Sequence, residues 1–438
     1  MKRNESSVVF TSKIIAVITM IGVAVGLGNV WRFPYIMGKY GGSAFLFLYL
    51  LLTFLFAVPA LLAEISLGKI SRSGPVKAFQ LTFGPIAGKV TGFILLVTII
   101  VAGSYYAVVI ANVIYATLYS VFYGFDSEHL STYANHLGNG QLQYGISLVV
   151  IGLSCVVVHR GLKEGIEKVS KIFVPFFLVS LLYLIFHSFS IDGAQEKFLQ
   201  FVIPDFSVIG ATEFFAALGQ AFYSLSLGGT FMVVYGSYLN QNENVAKLAP
   251  WIAVGDVGAA LLVSLFIVPS ILVFNLDMTA GPTLIFSTLP ELFAVMPMGR
   301  FIGSLFLLAL SAVAFLSLVA AYEVAHKGLM ELKVLRNDSG KLLVLFMLVQ
   351  GVLAWPSAMD DQVIGALDLI FGSGMQLLGS GLTVIAIGWF IKRKVSIESI
   401  FGSETPGLKS RIFINWLRWV LPAALLIVLI GYIYDSIH

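Results

Sequence analysis

The segment Gly22-Val-Ala-Val-Gly-Leu-Gly-Asn-Val-Trp-Arg-Phe-Pro34 sets three glycines, an asparagine, an arginine and a proline within an apolar run of membrane-spanning length. A helix built this way is expected to break. In lipid every backbone N–H and C=O needs a partner, so unwound chain at membrane depth is tolerated only where it lines a cavity or binds a ligand. Half-helix N-termini present N–H groups to an anion and half-helix C-termini present carbonyls to a cation, an arrangement suited to an amino-acid carboxylate beside a metal ion. A second interruption, Gln220-Ala-Phe-Tyr-Ser-Leu-Ser-Leu-Gly-Gly-Thr230, opens a later apolar run in the same way. Ionisable groups inside spans are costly and therefore functional candidates, which singles out Glu64 and Asp256. The other reading of Asp256 is a solvated charge near a helix end. A dinucleotide-binding reading of the first glycines fails, because a continuous membrane span offers no strand–turn–helix context.

The elements that carry these residues follow from composition. Of 438 residues, 58% are hydrophobic and 11% charged, and the mean hydropathy is +0.94. Soluble domains carry roughly 25% charged residues, so the chain reads as an all-α polytopic membrane protein. At roughly 20 residues per crossing, its apolar runs predict about eleven spans, near 11–37, 41–69, 86–123, 142–158, 166–187, 211–239, 249–275, 298–331, 340–356, 362–391 and 411–435. All but Arg32, Lys39, Lys197 and Arg300 of the 26 Lys and Arg residues fall in or beside alternate loops on one side. The positive-inside rule makes that side cytoplasmic, with the amino terminus inside and the carboxyl terminus outside. The same bias accounts for the net charge of +3 and implies no nucleic-acid partner. Cys155 has no possible intrachain partner and reads as a packing residue. The six histidines are scattered without metal-ligand spacing, which argues against a membrane enzyme. No cleavable leader is expected, because the first apolar segment carries the broken motif and is too long for one.

The first motif, continuing through Tyr35, Gly41-Gly42 and Phe45, closely resembles the first transmembrane helix of the neurotransmitter:sodium symporter family, whose bacterial members include leucine transporters. The resemblance covers nearly the whole chain. It implies a single transporter domain over 1–438, with two inverted five-helix repeats at 11–187 and 211–391, helices 1 and 6 broken, and an eleventh helix at 411–435 outside the repeat. Paired interruptions at corresponding positions point to a midplane site between such repeats. The resemblance implies a first sodium site built from the Ala24 carbonyl, Asn29, Ser224 and the substrate carboxylate. Asp256 would add a fixed negative charge that makes chloride unnecessary. A second sodium site would use the carbonyls of Gly22, Val25 and Val313 with the Ser317 hydroxyl. The next ligand position holds Leu316, and leucine cannot coordinate a cation, so that site is expected to have lost a ligand.

The resemblance further implies that Arg32 and Asp368 close an extracellular gate, and that Arg3, Phe10, Tyr238 and Glu331 form an inner one. The family's amino-terminal Arg-x-x-Trp is not intact here. Glu64 is expected to accept hydrogen bonds from unwound backbone, and the segment 281–293 to act as an outer lid. Gly26 stands where monoamine transporters carry aspartate, which favours amino acids over amines. The substrate site would comprise Ala24, Gly26, Gly28, Ala102, Tyr106, Tyr223, Ser224, Ser226, Gly229, Ser317 and Ala321, with Tyr106 holding the carboxylate. Some of these positions are bulkier in relatives, so a wide pocket for a hydrophobic or aromatic side chain is expected. Two functions fit these residues. One is sodium-coupled import of an α-amino acid across a prokaryotic inner membrane by alternating access. The other is a non-transporting amino-acid receptor on the same fold.

Overall fold

The computed structural model describes residues 9–126, 128–278, 281–332, 338–402 and 407–437, without the side chains of 282, 283 and 432–437. Among them the order is helical throughout. Span α1 consists of Lys13–Ala24 and Gly28–Lys39, meeting at 63°. It is followed by α2 (Ser43–Ser71), α3 (Ala87–Phe122), α4 (Gly140–Gly161) and α5 (Lys168–Phe189). Span α6 is Ala211–Ser224 plus Phe231–Gly236. Then come α7 (Val245–Val273), α8 (Gly299–Glu331), α9 (Ser339–Met359), α10 (Asp361–Phe390) and α11 (Leu408–Gly431). Taken as an unbroken run, Gly140–Phe189 has 50 residues, far more than one crossing needs. Gly161, at φ +77°, turns the chain between α4 and α5. Among the described residues, eight helices, or nine with the bent α1, are long and apolar enough to cross a membrane; dividing the 50-residue run at Gly161 and adding the broken α6 brings the number to the eleven expected, with ends displaced by a few residues.

Both interruptions have local causes. In α1, Val25 leaves the helix with an extended backbone (ψ 119°), and the chain re-enters through a π-helical turn at Gly28–Arg32. Pro34 follows directly on this π-helical turn, second in the α-helical stretch Phe33–Lys39, and has no N–H to give to the turn before it. In α6, Ser226, Gly228 and Thr230 all take positive φ, a conformation that costs a residue with a Cβ roughly 1–2 kcal/mol. At Gly228 no other residue fits: a Cβ there would lie 1.5 Å from the Gln376 carbonyl oxygen of α10. Its N–H is not orphaned, because Glu64 of α2 accepts it at 2.6 Å. The buried carboxylate expected to serve unwound backbone therefore serves the second break.

Helix α8 packs along α3 and also reaches α5 and α1, so α3 and α8 flank the breaks. The inner half of α6 lies on α2 with backbones touching; a Cβ on Gly68 would sit 1.9 Å from the Val233 carbonyl oxygen. At that end of the bundle Lys69 donates to the carbonyls of Glu243 and Ser399. This gathers the basic loops after α2, before α7 and after α10 on one face. On the opposite face the 281–284 turn packs against the outer half of α1, and Thr288–Val295 packs on α8.

Candidate functional site

Where the two breaks meet, three polar side chains from three spans are buried together. Asn29 Nδ2 donates to Asp256 Oδ1 at 2.8 Å and to Ser224 Oγ at 3.1 Å, and Ser224 Oγ donates to Asp256 Oδ2 at 2.6 Å. Asn29 Oδ1 accepts the Gly26 N–H at 3.0 Å, bracing the unwound turn. Tyr49 of α2 reaches Ser224 at 3.4 Å. Asp256 is fully buried with no cationic side chain within ion-pair distance among the described residues. The solvated-charge reading of Asp256 does not apply. A buried, unpaired carboxylate among neutral oxygens is a poor core element and a good hard-cation ligand.

A cavity of about 100 Å³ adjoins this cluster, lined by ten of the eleven expected substrate-site residues: Ala24, Gly26, Gly28, Ala102, Tyr106, Tyr223, Ser224, Ser226, Ser317 and Ala321. Its floor is set by Gly26: a Cβ there would lie 3.0 Å from Ser317 Oγ and 3.3 Å from the Tyr106 hydroxyl. Any side chain at this position would press on both hydroxyls. Gly229 is the exception and corrects the expectation of a wide pocket. Its Cβ direction points 2.4 Å from the Phe231 ring, and Phe231 itself lines the cavity. The bulk missing at Gly229 is supplied two residues later, because the left-handed turn at Thr230 swings Phe231 inward.

At the second expected cation position a leucine side chain approaches the first break. Ser317 Oγ donates to the Val25 carbonyl at 3.1 Å and the Val313 carbonyl at 3.4 Å. The Leu316 Cδ1 lies 3.1 Å from where a Cβ of Gly22 would be, beside Val174 of α5. Leu316 thus faces the first break, and the single Ser317 hydroxyl proton has two carbonyl acceptors in reach, Val25 and Val313.

Outward, the cavity shares Tyr223, Asp368, Gly372 and Gln376 with a vestibule of about 810 Å³. Arg32 and Asp368 both line the vestibule, but they form no direct ion pair. The Arg32 guanidinium lies 4.0 Å from the Tyr223 ring centroid, and Asp368 accepts from the Tyr105 hydroxyl at 3.0 Å. The inner end is closed. Phe10 N–H bonds the Tyr238 carbonyl at 3.0 Å, and its ring packs against Tyr235 and Tyr238. Tyr238 donates to Glu323, and the Lys327 ammonium sits 3.9 Å over the Tyr238 ring.

Glu331 is not the acid of this cluster. It lies eight residues further along α8, about 12 Å by helical rise, and accepts the backbone N–H groups of Gly74 and Lys77 at 2.6 and 3.1 Å. It caps the N-terminus of the helix Pro75–Phe83, where a negative charge is favoured. Arg3 lies outside the described residues. Sequence reasoning also passed over Glu167, which accepts both Thr11 N–H (2.9 Å) and Thr11 Oγ1 (2.7 Å) and pins the start of α1 to α5. The available signal was an acid just inside the expected span 166–187, which was not singled out.

Paired broken helices around a buried oxygen cluster, opening to one side and sealed at the other, are the architecture of a membrane transporter. The model of the Sodium:neurotransmitter symporter family matches residues 8–128 and 120–436, and the chain belongs to that family. The uncharacterized sodium-dependent transporter YhdH of Bacillus subtilis is 29% identical over 445 residues, covering 98% of each chain. The sodium- and chloride-dependent creatine transporter 1 of Mus musculus is 26% identical over 375 residues, 72% of this chain and 58% of the other. Among solved structures, MhsT in complex with L-phenylalanine superposes with a TM-score of 0.86 at 27% identity, covering 97% of this chain and 99% of that one. The protein is a sodium-dependent membrane transporter, not an enzyme.

Proposed function

We propose that the protein imports an α-amino acid with a bulky hydrophobic or aromatic side chain, coupled to sodium at the Asn29–Ser224–Asp256 cluster. The observation that carries this reading is that cluster's place. It joins both breaks and borders the same cavity as Gly26 and Tyr106, so one cation there would touch both a substrate carboxylate and the two helices that must move. Tyr106 holds the carboxylate, and the apolar side chain enters by displacing the Phe231 ring. The phenylalanine bound to MhsT supports this substrate class. Asp256 supplies the negative charge, so chloride is not required. The Leu316 plug leaves one sodium per cycle. Spans α1–α5 and α6–α10 form two inverted repeats, Arg32 and Asp368 close the outer gate around bound substrate, and 281–293 folds over it as a lid. The membrane is a prokaryotic inner membrane with the basic face and amino terminus in the cytoplasm.

The test is uptake of a panel of the twenty amino acids into proteoliposomes, with and without an inward sodium gradient. Gradient-dependent accumulation of phenylalanine or leucine is expected. Sodium-dependent binding without accumulation would instead establish a receptor. Equal competition by alanine and phenylalanine would defeat the size assignment.

A further inference from the structure

At the sealed end of the bundle, α10 and α11 meet through two π-helical turns, Ala386–Phe390 and Trp416–Val420. The Arg418 carbonyl, which Pro422 four residues on cannot serve, and the Gly388 carbonyl at the end of α10 are each taken by a side chain of the other helix. Trp389 Nε1 donates to the Arg418 carbonyl at 3.0 Å, and Arg418 Nε donates to the Gly388 carbonyl. This fixes the guanidinium 5.9 Å from the Trp389 ring centroid. Trp419 stands edge-on to Trp389, centroids 4.6 Å apart. Together with Ile385, Phe390 and Pro422 these residues enclose an open cleft of about 520 Å³ on the outside of the bundle.

The cleft has two chemistries side by side. Its walls are aromatic and outward-facing, Trp389 being 47% and Trp419 64% exposed, as expected of rings at the level of lipid headgroups. Its polar element is a guanidinium with no carboxylate within ion-pair distance among the described residues. Its two η-nitrogens donate to no described residue, although Nε is held. The surroundings are basic. Lys392, Arg393 and Lys394 follow α10 directly, and Lys409 and Arg411 open α11. Between 389 and 422 there are six basic residues and two acidic ones, and one of the acids, Glu398, is already 3.8 Å from Lys394. A half-buried guanidinium oriented by a backbone carbonyl offers two parallel donors, the geometry that chelates a phosphate.

We propose that the Trp389–Arg418–Trp419 cleft binds the phosphate of an anionic phospholipid, with its acyl chains along Ile385 and Pro422. Basic recesses between spans on the cytoplasmic side recognise such headgroups. The lipid would brace the junction on which α10, a lining element of the vestibule, is anchored to α11.

Native mass spectrometry of the full-length protein, titrated with phosphatidylglycerol or phosphatidylcholine of matched acyl chains, tests this. Phosphatidylglycerol should bind about tenfold more tightly or better, and Arg418→Gln should remove that preference. Because Arg418 also holds Gly388, Trp419→Leu serves as a second variant that leaves this bond in place, and it should weaken phosphatidylglycerol binding several-fold. Equal retention of the two lipids by the unmodified protein would overturn the proposal. So would loss of the preference in Lys409→Gln/Arg411→Gln with none in Arg418→Gln, which would indicate diffuse surface attraction. Displacement of the lipid by millimolar inorganic phosphate would reduce the site to a simple anion site and refute it as a lipid site.

Discussion

Replacing Leu316 by threonine should add a second sodium to the one-sodium cycle proposed above. Leu316 is 3% exposed, and its terminal methyl abuts Gly22 beside Val174. Shortening it leaves a gap and places a hydroxyl in it. Large-to-small changes at buried leucines cost about 2–5 kcal/mol; threonine retains part of the volume, so about 2–3 kcal/mol of destabilisation is expected in sodium-free buffer. The new hydroxyl would then face the carbonyls of Gly22, Val25 and Val313 and the Ser317 hydroxyl, a donor set suited to a hard cation. Sodium at a hundred times its dissociation constant would restore about 2.7 kcal/mol, nearly cancelling the loss. Thermal unfolding in sodium against choline chloride reads this directly. The variant should melt below the parent in choline and gain more than the parent on adding sodium. In uptake, the Hill coefficient for sodium should be near one in the parent and rise toward two in the variant. A parent coefficient near two, or a variant no more sodium-responsive than the parent, would show that Leu316 does not decide the stoichiometry.

Asn29→Ala and Ser224→Ala should each weaken sodium-dependent substrate binding, measured by scintillation proximity with a sodium titration, because each removes an oxygen beside Asp256; unaltered sodium curves would exclude them from the ion site. Asp256→Asn removes the cluster's formal charge and should lower sodium affinity on the order of tenfold or more, with chloride restoring part of it; wild-type uptake in chloride-free buffer would contradict this. Phe231→Ala should raise affinity for tryptophan relative to leucine in competition assays, whereas Gly229→Phe, pressed against Phe231 and Ile99, should reduce folded yield without shifting preference. Glu167→Gln weakens the tie on Thr11 and should raise the labelling rate of a cysteine introduced at Ser12, at the inner end of α1; unchanged labelling would make that tie incidental.

What was legible in the sequence was whatever lipid forces into composition. Span number and the two breaks could be read because a glycine-rich, polar interruption has no other tolerable place in an apolar helix. Asp256 stood out for the same reason, since a charge at that depth must answer to something, whereas Asn29 and Ser224 were named as its companions through the family resemblance. The substrate wall failed where backbone sign matters. Nothing in Gly228-Gly229-Thr230-Phe231 says that Thr230 takes φ +57°, and that angle decides whether Gly229 or Phe231 faces the cavity. The inner closure failed for a different reason. Glu323, Lys327 and Glu331 lie on one stretch of α8, and choosing the partner of Tyr238 among them depends on how far α6 reaches along α8, a tertiary distance that spacing does not encode.

The placement of Asp256 also explains how binding could drive motion. Of the three spans in the cluster, α1 and α6 are broken while α7 runs unbroken for 29 residues, so Asp256 is the fixed member and Asn29 and Ser224 are carried on elements with a hinge beside them. The three side chains bond one another directly. A cation inserted among them must exchange those bonds for coordination, and Asn29 Nδ2, which donates to Asp256, must give way to its carbonyl oxygen. That turn would release Gly26 N–H from Asn29 Oδ1 at the point where a substrate carboxylate needs a donor. With sodium at the proposed site, its binding and that of the carboxylate would share one side-chain rotation, so each ligand would favour the other by the same free energy, which is the coupling a symporter requires.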